Sequence, residues 1–294
     1  MTPSRVAADP WTERRRRAAE LGDRWPFASE VLTFYRHVLD AQERVYEAVL
    51  EDPPEPDATV PYVARQAVPL VCEVAAAHGP EPLRQALGGD EPQEVWEARV
   101  RAWLGGEDVA PAHRFAARAA AAPVLEALGE RAGAVCSGPR GDRRCPRCGG
   151  LPQLSLFAPS PEDLVAPRRF LECSRCSWRW PFPRMTCPAC GETDTGRLPI
   201  YAEEGTAEVE ATGNVVRGVG GRAPHGGPGG SGSSPRFPHL SIHACRSCHR
   251  YLLNVDCGRD PRAVPAVDEI AALPLDLYAR EQGVVKIVPN LMGF

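Results

Sequence analysis

Between positions 29 and 50, apolar side chains recur at Val31, Phe34/Tyr35, Val38, Val45 and Val49, with Gln42 in register. That spacing keeps one face of a helix toward a core. The run Asp52-Pro-Pro-Glu-Pro-Asp57 stops it, because proline has no amide donor and restricts the residue before it. The same periodicity predicts helices over 62–77, 81–87, 92–104 and 111–130, the last kinked or split at Pro123. A short amphipathic helix over 13–21 precedes them, and its four arginines, Arg14 to Arg17, read as a solvated face. Nothing in 1–135 alternates with period two, so this part is expected to be an all-helical bundle.

The second half has a different period. Strands are expected at 151–157, 168–172, 197–203, 206–211, 239–244 and 250–256, with Trp178, Trp180 and Phe182 alternating over one face of a small sheet. The Gly/Ser/Pro-rich stretch 218–234 has too little apolar content to order itself and reads as a flexible hairpin tip. The tail over 264–282, with Ile270, Leu273, Leu275 and Leu277, reads as one helix strained by Pro274 and packed back on the molecule.

Four Cys-x-x-Cys pairs punctuate these strands: Cys145/Cys148, Cys173/Cys176, Cys187/Cys190 and Cys245/Cys248. Two thiolates three positions apart can close on one ion from a single tight turn, and two such turns supply a tetrahedral four-sulfur site. Four turns imply two sites, and all eight cysteines are candidate ligands. Backbone N–H groups in such a knuckle point at the sulfurs, and Gly149 and Gly191 permit the tight approach after two of the pairs. The order knuckle, hairpin, knuckle is the zinc-ribbon or rubredoxin pattern. The simplest pairing is sequential, first with second and third with fourth; a nested pairing stays open. The thiolates accept iron or zinc alike. Three parts follow: 1–137 helical, 138–184 a first metal module, and 185–294 a second with the Gly-rich insertion and the C-terminal helix.

Composition narrows the classes. The chain of 294 residues has a net charge of -4, so bulk electrostatics give no argument for nucleic acid. Between 140 and 200 there are ten Arg against six Asp/Glu, too sparse a basic face for a nucleic-acid footprint. Basic residues are Arg throughout, with Lys286 the single exception, a bias given no functional weight. No apolar run approaches the length needed to span a bilayer, so membrane insertion is not expected and the chain reads as cytoplasmic. Eleven cysteines in a reducing compartment point to metal ligation rather than disulfides. Cys72, Cys136 and Cys257 lack a partner at knuckle spacing, and Cys72 reads as packing. His37, His78 and His113 are scattered, and His239, His243 and His249 flank the fourth knuckle as surface residues or supports to the ligands. No nucleophile motif or phosphate loop occurs, so catalytic residues are not assigned.

The linked order of these motifs resembles the FdhE-type formate dehydrogenase accessory proteins over nearly the whole chain. The resemblance rests on Ala18-Ala-Glu-Leu21, Trp25-Pro-Phe-Ala-Ser-Glu-Val-Leu-Thr-Phe-Tyr-Arg36 and Gln42. It continues through Cys145-Pro-x-Cys-Gly-x-x-Pro152, Arg169-Phe-Leu-x-Cys-x-x-Cys176, Arg184-x-x-Cys-x-x-Cys-Gly191 and Cys245-x-x-Cys-x-x-Tyr-Leu252. It ends with Asp260, Val264-Pro265, Asp268 and Leu275-Asp-Leu277. It implies a helical domain followed by two rubredoxin-like modules, a place in the cytoplasm, and the formate dehydrogenase catalytic subunit as partner. Leu253, where that family often has a basic residue, and the 218–234 insertion depart from the pattern. Two readings of another class stand beside it: an iron-containing redox protein and a zinc-ribbon nucleic-acid binder.

Overall fold

Asp9 opens the first helix by accepting the Thr12 amide on its side chain at 2.8 Å, with Pro10 at the first helical position, where its missing amide costs nothing. The structure, a computed structural model, describes residues 9–136, 138–159, 167–203, 216–218 and 235–294. Helix α1 (Pro10–Arg24) packs on α2 (Pro26–Glu51), whose buried stripe includes Leu32, Val38, Leu39, Val45 and Val49. The path over 59–78 is helical but broken into α3 (Thr59–Tyr62), a π-helical turn (Val63–Ala67) and α4 (Val68–His78). Pro69 has no amide to continue the ladder, and the Val68 amide reaches back five residues to Val63 instead. Then come α5 (Glu81–Leu87), α6 (Gln93–Gly105), α7 (Pro111–Leu128) and the single turn α8 (Ala132–Val135).

Pro123 does not split α7. A proline at 123 leaves the carbonyl of Ala119, four residues back, without its helical donor. Gln42 supplies the missing donor from α2, its Nε2 lying 2.9 Å from the Ala119 oxygen in a buried site. A polar residue in an apolar stripe thus has a definite task.

The cysteine-bearing half forms one eight-stranded sheet. Its strands are β1 (Pro152–Phe157), β2 (Arg169–Cys173), β3 (Arg179–Pro181), β4 (Ile200–Ala202), β5 (Val216–Gly218), β6 (Leu240–Cys245) and β7 (Arg250–Asp256). They lie in the order β3-β2-β1-β7-β6-β4-β5. Parallel pairing of β1 with β7, Ser155 opposite Asn254, joins the two halves of the sheet. The expected strand at 206–211 and the insertion after 218 lie outside the described residues.

The tail is two helices, not one: α9 (Pro265–Ala271) and α10 (Leu273–Glu281), followed by β8 (Val285–Lys286) beside β7. Pro274 sits in the first turn of α10, where it breaks the preceding helix and starts the next. Helix α9 lies between α1 and α2 on one side and β1 and β7 on the other, with six of its seven residues buried. No helix among the described residues is long and apolar enough to cross a membrane.

Gln42→Ala is expected to lower stability by about 1–3 kcal/mol, the cost of leaving a buried carbonyl unpaired. In a Pro123→Ala background, where the helix can supply its own donor, the same change should cost well under half as much. Urea unfolding midpoints of the four proteins in this cycle measure the difference.

Candidate metal centres

Each Cys-x-x-Cys turn closes in the same way. The amide four residues after the first cysteine returns to that cysteine's carbonyl: Gly149 to Cys145, Ser177 to Cys173, Gly191 to Cys187 and His249 to Cys245, at 2.9, 3.2, 2.9 and 2.9 Å. That closure needs a left-handed residue just after the second cysteine. All four positions have it, with φ of 70° at Gly149, 54° at Ser177, 85° at Gly191 and 56° at His249. Two are glycines, which adopt the conformation freely; Ser177 and His249 adopt it at some cost. At Gly149 an added Cβ would also meet the Pro139 carbonyl oxygen at 2.9 Å. At Gly150 it would meet the Cys173 sulfur at 2.7 Å, so this glycine leaves room for the cluster itself.

The turns meet in sequential pairs. Cys145, Cys148, Cys173 and Cys176 form one group, and Cys187, Cys190, Cys245 and Cys248 the other, with the sulfurs of each group all within 4.8 Å of one another. In the first group the Cys145–Cys176, Cys148–Cys173 and Cys148–Cys176 sulfurs are 3.6, 3.3 and 3.4 Å apart. In the second, Cys187–Cys248 and Cys190–Cys245 are both 3.7 Å apart. Four sulfurs at about 2.3 Å from a central ion have edges of roughly 3.8 Å, so both groups are near the spacing of a tetrahedral thiolate site. Each can hold one ion.

Electrostatics favour a cation there. With sulfurs this close, four negative charges cannot coexist unaided. The Cys148 thiol is drawn below its ordinary value, first by the neighbouring Cys136 thiol, while Cys176 is pushed up, first by its contact with Cys145. Cys136 is therefore a buried fifth thiol beside the first group, a place its sequence spacing did not suggest. Backbone N–H groups face the sulfurs as expected: Arg175 toward Cys173 at 3.4 Å, Ala189 and Cys190 toward Cys187, Ser247 and Cys248 toward Cys245. Cys72 and Cys257 stand apart, and burial lifts each thiol to about 11, which keeps them inert.

The two groups differ in exposure. All four cysteines of the first are buried, whereas Cys190 is exposed and Cys248 half-buried. Trp180, buried with its Nε1 on the Asp142 carbonyl at 3.1 Å, covers the sheet beside the first group as expected. Trp178 is 37% exposed and lies under the Arg147 guanidinium.

Around the sheet the structure corrects several expectations. Arg17 is not solvated: it is 1% exposed and binds Asp268 and Asp260, the latter at 2.7 Å. His239 is buried, its Nε2 2.8 Å from Asp268. These residues could suggest a third metal group, but Arg17 already supplies the positive charge between the two carboxylates. His37 and His78, far apart in sequence, stack with ring centroids 3.7 Å apart.

This architecture defines a class: a helical bundle carrying a small sheet with two four-cysteine sites. A family model described as the FdhE C-terminal domain matches residues 232–292. A protein FdhE homolog of Aquifex aeolicus is 29% identical over 150 residues, 51% of this chain but only 41% of that protein. One from Pseudomonas aeruginosa is 24% identical over 99% of this chain and 91% of its own length. The crystal structure of the FdhE protein from Pseudomonas aeruginosa shares the fold, with a TM-score of 0.62 at 21% identity, over 99% of this chain and 97% of that one. The chain is thus similar to FdhE proteins along its length and shares the fold of one of them.

Two predictions follow from the geometry. A chromogenic chelator should remove one metal equivalent from the exposed Cys187/Cys190/Cys245/Cys248 site well before the second, and Cys190→Ser should abolish the fast phase alone. Ser177→Gly and His249→Gly should leave metal content and melting temperature unchanged or slightly raised, whereas Gly149→Ala lowers both.

Proposed function

We propose that this chain is a cytoplasmic accessory factor in formate dehydrogenase maturation, holding the enzyme's catalytic subunit on a metal-stiffened scaffold. The carrying observation is the pair of four-cysteine groups, built from four identical turns, on a chain similar to FdhE proteins over its whole length. Cys145, Cys148, Cys173 and Cys176 hold one ion in this reading, and Cys187, Cys190, Cys245 and Cys248 the other. The ions act through shape. Each ties together two turns at the ends of neighbouring strands, a role that in small zinc peptides contributes on the order of 10–16 kcal/mol. Residues 1–137 supply the helical face, 138–184 and 185–294 the two metal modules, and no residue is assigned to bond-making.

A second reading, an iron centre that passes electrons, draws on the exposure of Cys190, which would bring the second ion close to solvent. Zinc in the same place is redox-inert.

Protein prepared without added metal should contain two equivalents per chain, and a Cys→Ser change in either group should remove one. A colourless two-zinc protein excludes electron transfer. Purified from a host making the enzyme, the tagged chain should bring down the formate dehydrogenase catalytic subunit; recovery of none, with the enzyme present, would overturn the assembly reading.

A further inference from the structure

A cavity of about 1070 Å³ lies where the helical bundle faces the cysteine-bearing sheet. Its helical wall includes Phe27, Phe34, Leu83 and Trp103, and its other wall runs from the second knuckle to the tail at Ile287 and Met292. Five arginines line it (Arg114, Arg118, Arg144, Arg175 and Arg250) against three carboxylates, Glu30, Glu107 and Asp108. Five less three leaves two positive side-chain charges, in a chain whose net charge is -4.

Arg114 lies 3.7 Å from Asp108. Among the described residues the other four donate to neutral oxygens, and Glu269 acts on Arg118 from behind the Gln153 amide. Arg118 donates to the Pro289 carbonyl at 2.6 Å and to the Gln153 amide oxygen. Arg144, Arg175 and Arg250 donate to the carbonyls of Gly149, Cys148 and Lys286 at 3.2, 3.4 and 3.3 Å. Among the described residues none of the four forms an ion pair. Arg175 is only 7% exposed, and its Nη2, close beneath Gly106, has donors to spare. Arg118 has Glu269 and Arg175 the thiolates of the first group for company. That leaves Arg144 and Arg250 as guanidinium groups without an anion, a state that selects an anionic partner.

The size and spread of these groups decide which anion. Sites for single small molecules run to roughly 300–1000 Å³, and this one is at or beyond that limit. The four arginines outside ion pairs come from α7, the approach to the first knuckle, the second knuckle and β7, not from one phosphate cradle. Dispersed cations between apolar walls fit carboxylates spaced along a chain. We infer that this cavity docks an extended segment of the client polypeptide that carries carboxylates between apolar side chains. The inference rests on the assembly-factor reading and deepens it.

The metal sites set the cavity's charge pattern. Arg144 directly precedes Cys145, Arg175 lies between Cys173 and Cys176, and Arg250 follows Cys248 by two residues. Emptying the first site releases the turns that aim Arg144 and Arg175, and emptying the second releases the turn that aims Arg250.

The test is site-directed photo-crosslinking in the full metal-loaded chain, in a host making the catalytic subunit. Phe27→benzoylphenylalanine, at a lining position 42% exposed, is the probe. Leu50→benzoylphenylalanine, 56% exposed at the far end of α2 and on the order of 35 Å away, is the control. Position 27 should crosslink the catalytic subunit at a segment mixing acidic and apolar residues, and position 50 should not. Arg144→Gln with Arg250→Gln should cut that yield at least fivefold while two metal equivalents are retained. Co-purification of the subunit with crosslinks only from position 50, with a basic segment captured, or with a yield indifferent to the arginine changes would overturn the cavity and leave the assembly reading standing. Crosslinks from position 27 to a second copy of this chain would instead make the cavity a face between copies. Absence of the subunit from every preparation would remove the assembly reading, and this inference with it.

Discussion

Two adjacent carboxylates on α9, Asp268 and Glu269, are 0% and 2% exposed, and the joining of bundle to sheet depends on how they are neutralised. A buried carboxylate without a partner is far too costly to keep. Asp268 is met by Arg17 from α1, by His239 beside β6 and by the amide of Val264. Glu269 is met by Lys286 at 2.8 Å and by Gln153 of β1. Asp276 on α10 continues the chain, accepting Tyr251 Oη at 2.7 Å and lying 3.1 Å from Lys286. Burial lifts the Glu269 carboxyl above its usual range, which shows how much of its cost the surroundings must offset. Each partner comes from a different element, so the carboxylates are neutralised only when α1, β1, β7 and β8 are all in place.

This junction and the metal sites divide the work. The clusters fix the local turns, at which β2 and β6 end and β7 begins. The carboxylates fix how the sheet meets the bundle. Between the two lies the arginine-lined cavity, whose walls come from both sides, so its shape exists only while both sets of interactions hold.

The eight cysteines and the helical character of the first half were legible because they rest on spacing, which survives without tertiary context. Spacing made sequential pairing the simpler choice but left a nested one open until the fold grouped the sulfurs. The carboxylate junction was not legible. Asp268, Glu269 and Asp276 sit in a tail that reads as an apolar helix. Although Asp260, Asp268 and Asp276 stand among the residues that carry the FdhE resemblance, that resemblance does not say that they are buried or what meets them. A further signal was Lys286, a single lysine in an arginine-rich chain, placed where a compact ammonium fits between two carboxylates. Arg17 was misread for a related reason: in a run of four arginines the local pattern cannot say which one turns inward. Gln42 fell in the apolar register, and only the position of Pro123 on a neighbouring helix explains why an amide belongs there.

The solitary lysine has a consequence for how the molecule meets amine-directed chemistry. Its ammonium is sealed within the contact of bundle and sheet, so acylating reagents and acetyltransferases find no lysine to modify while that contact is closed. Any mark that appears on Lys286 therefore records a moment when the two halves had parted, and the chain carries in one side chain its own gauge of opening.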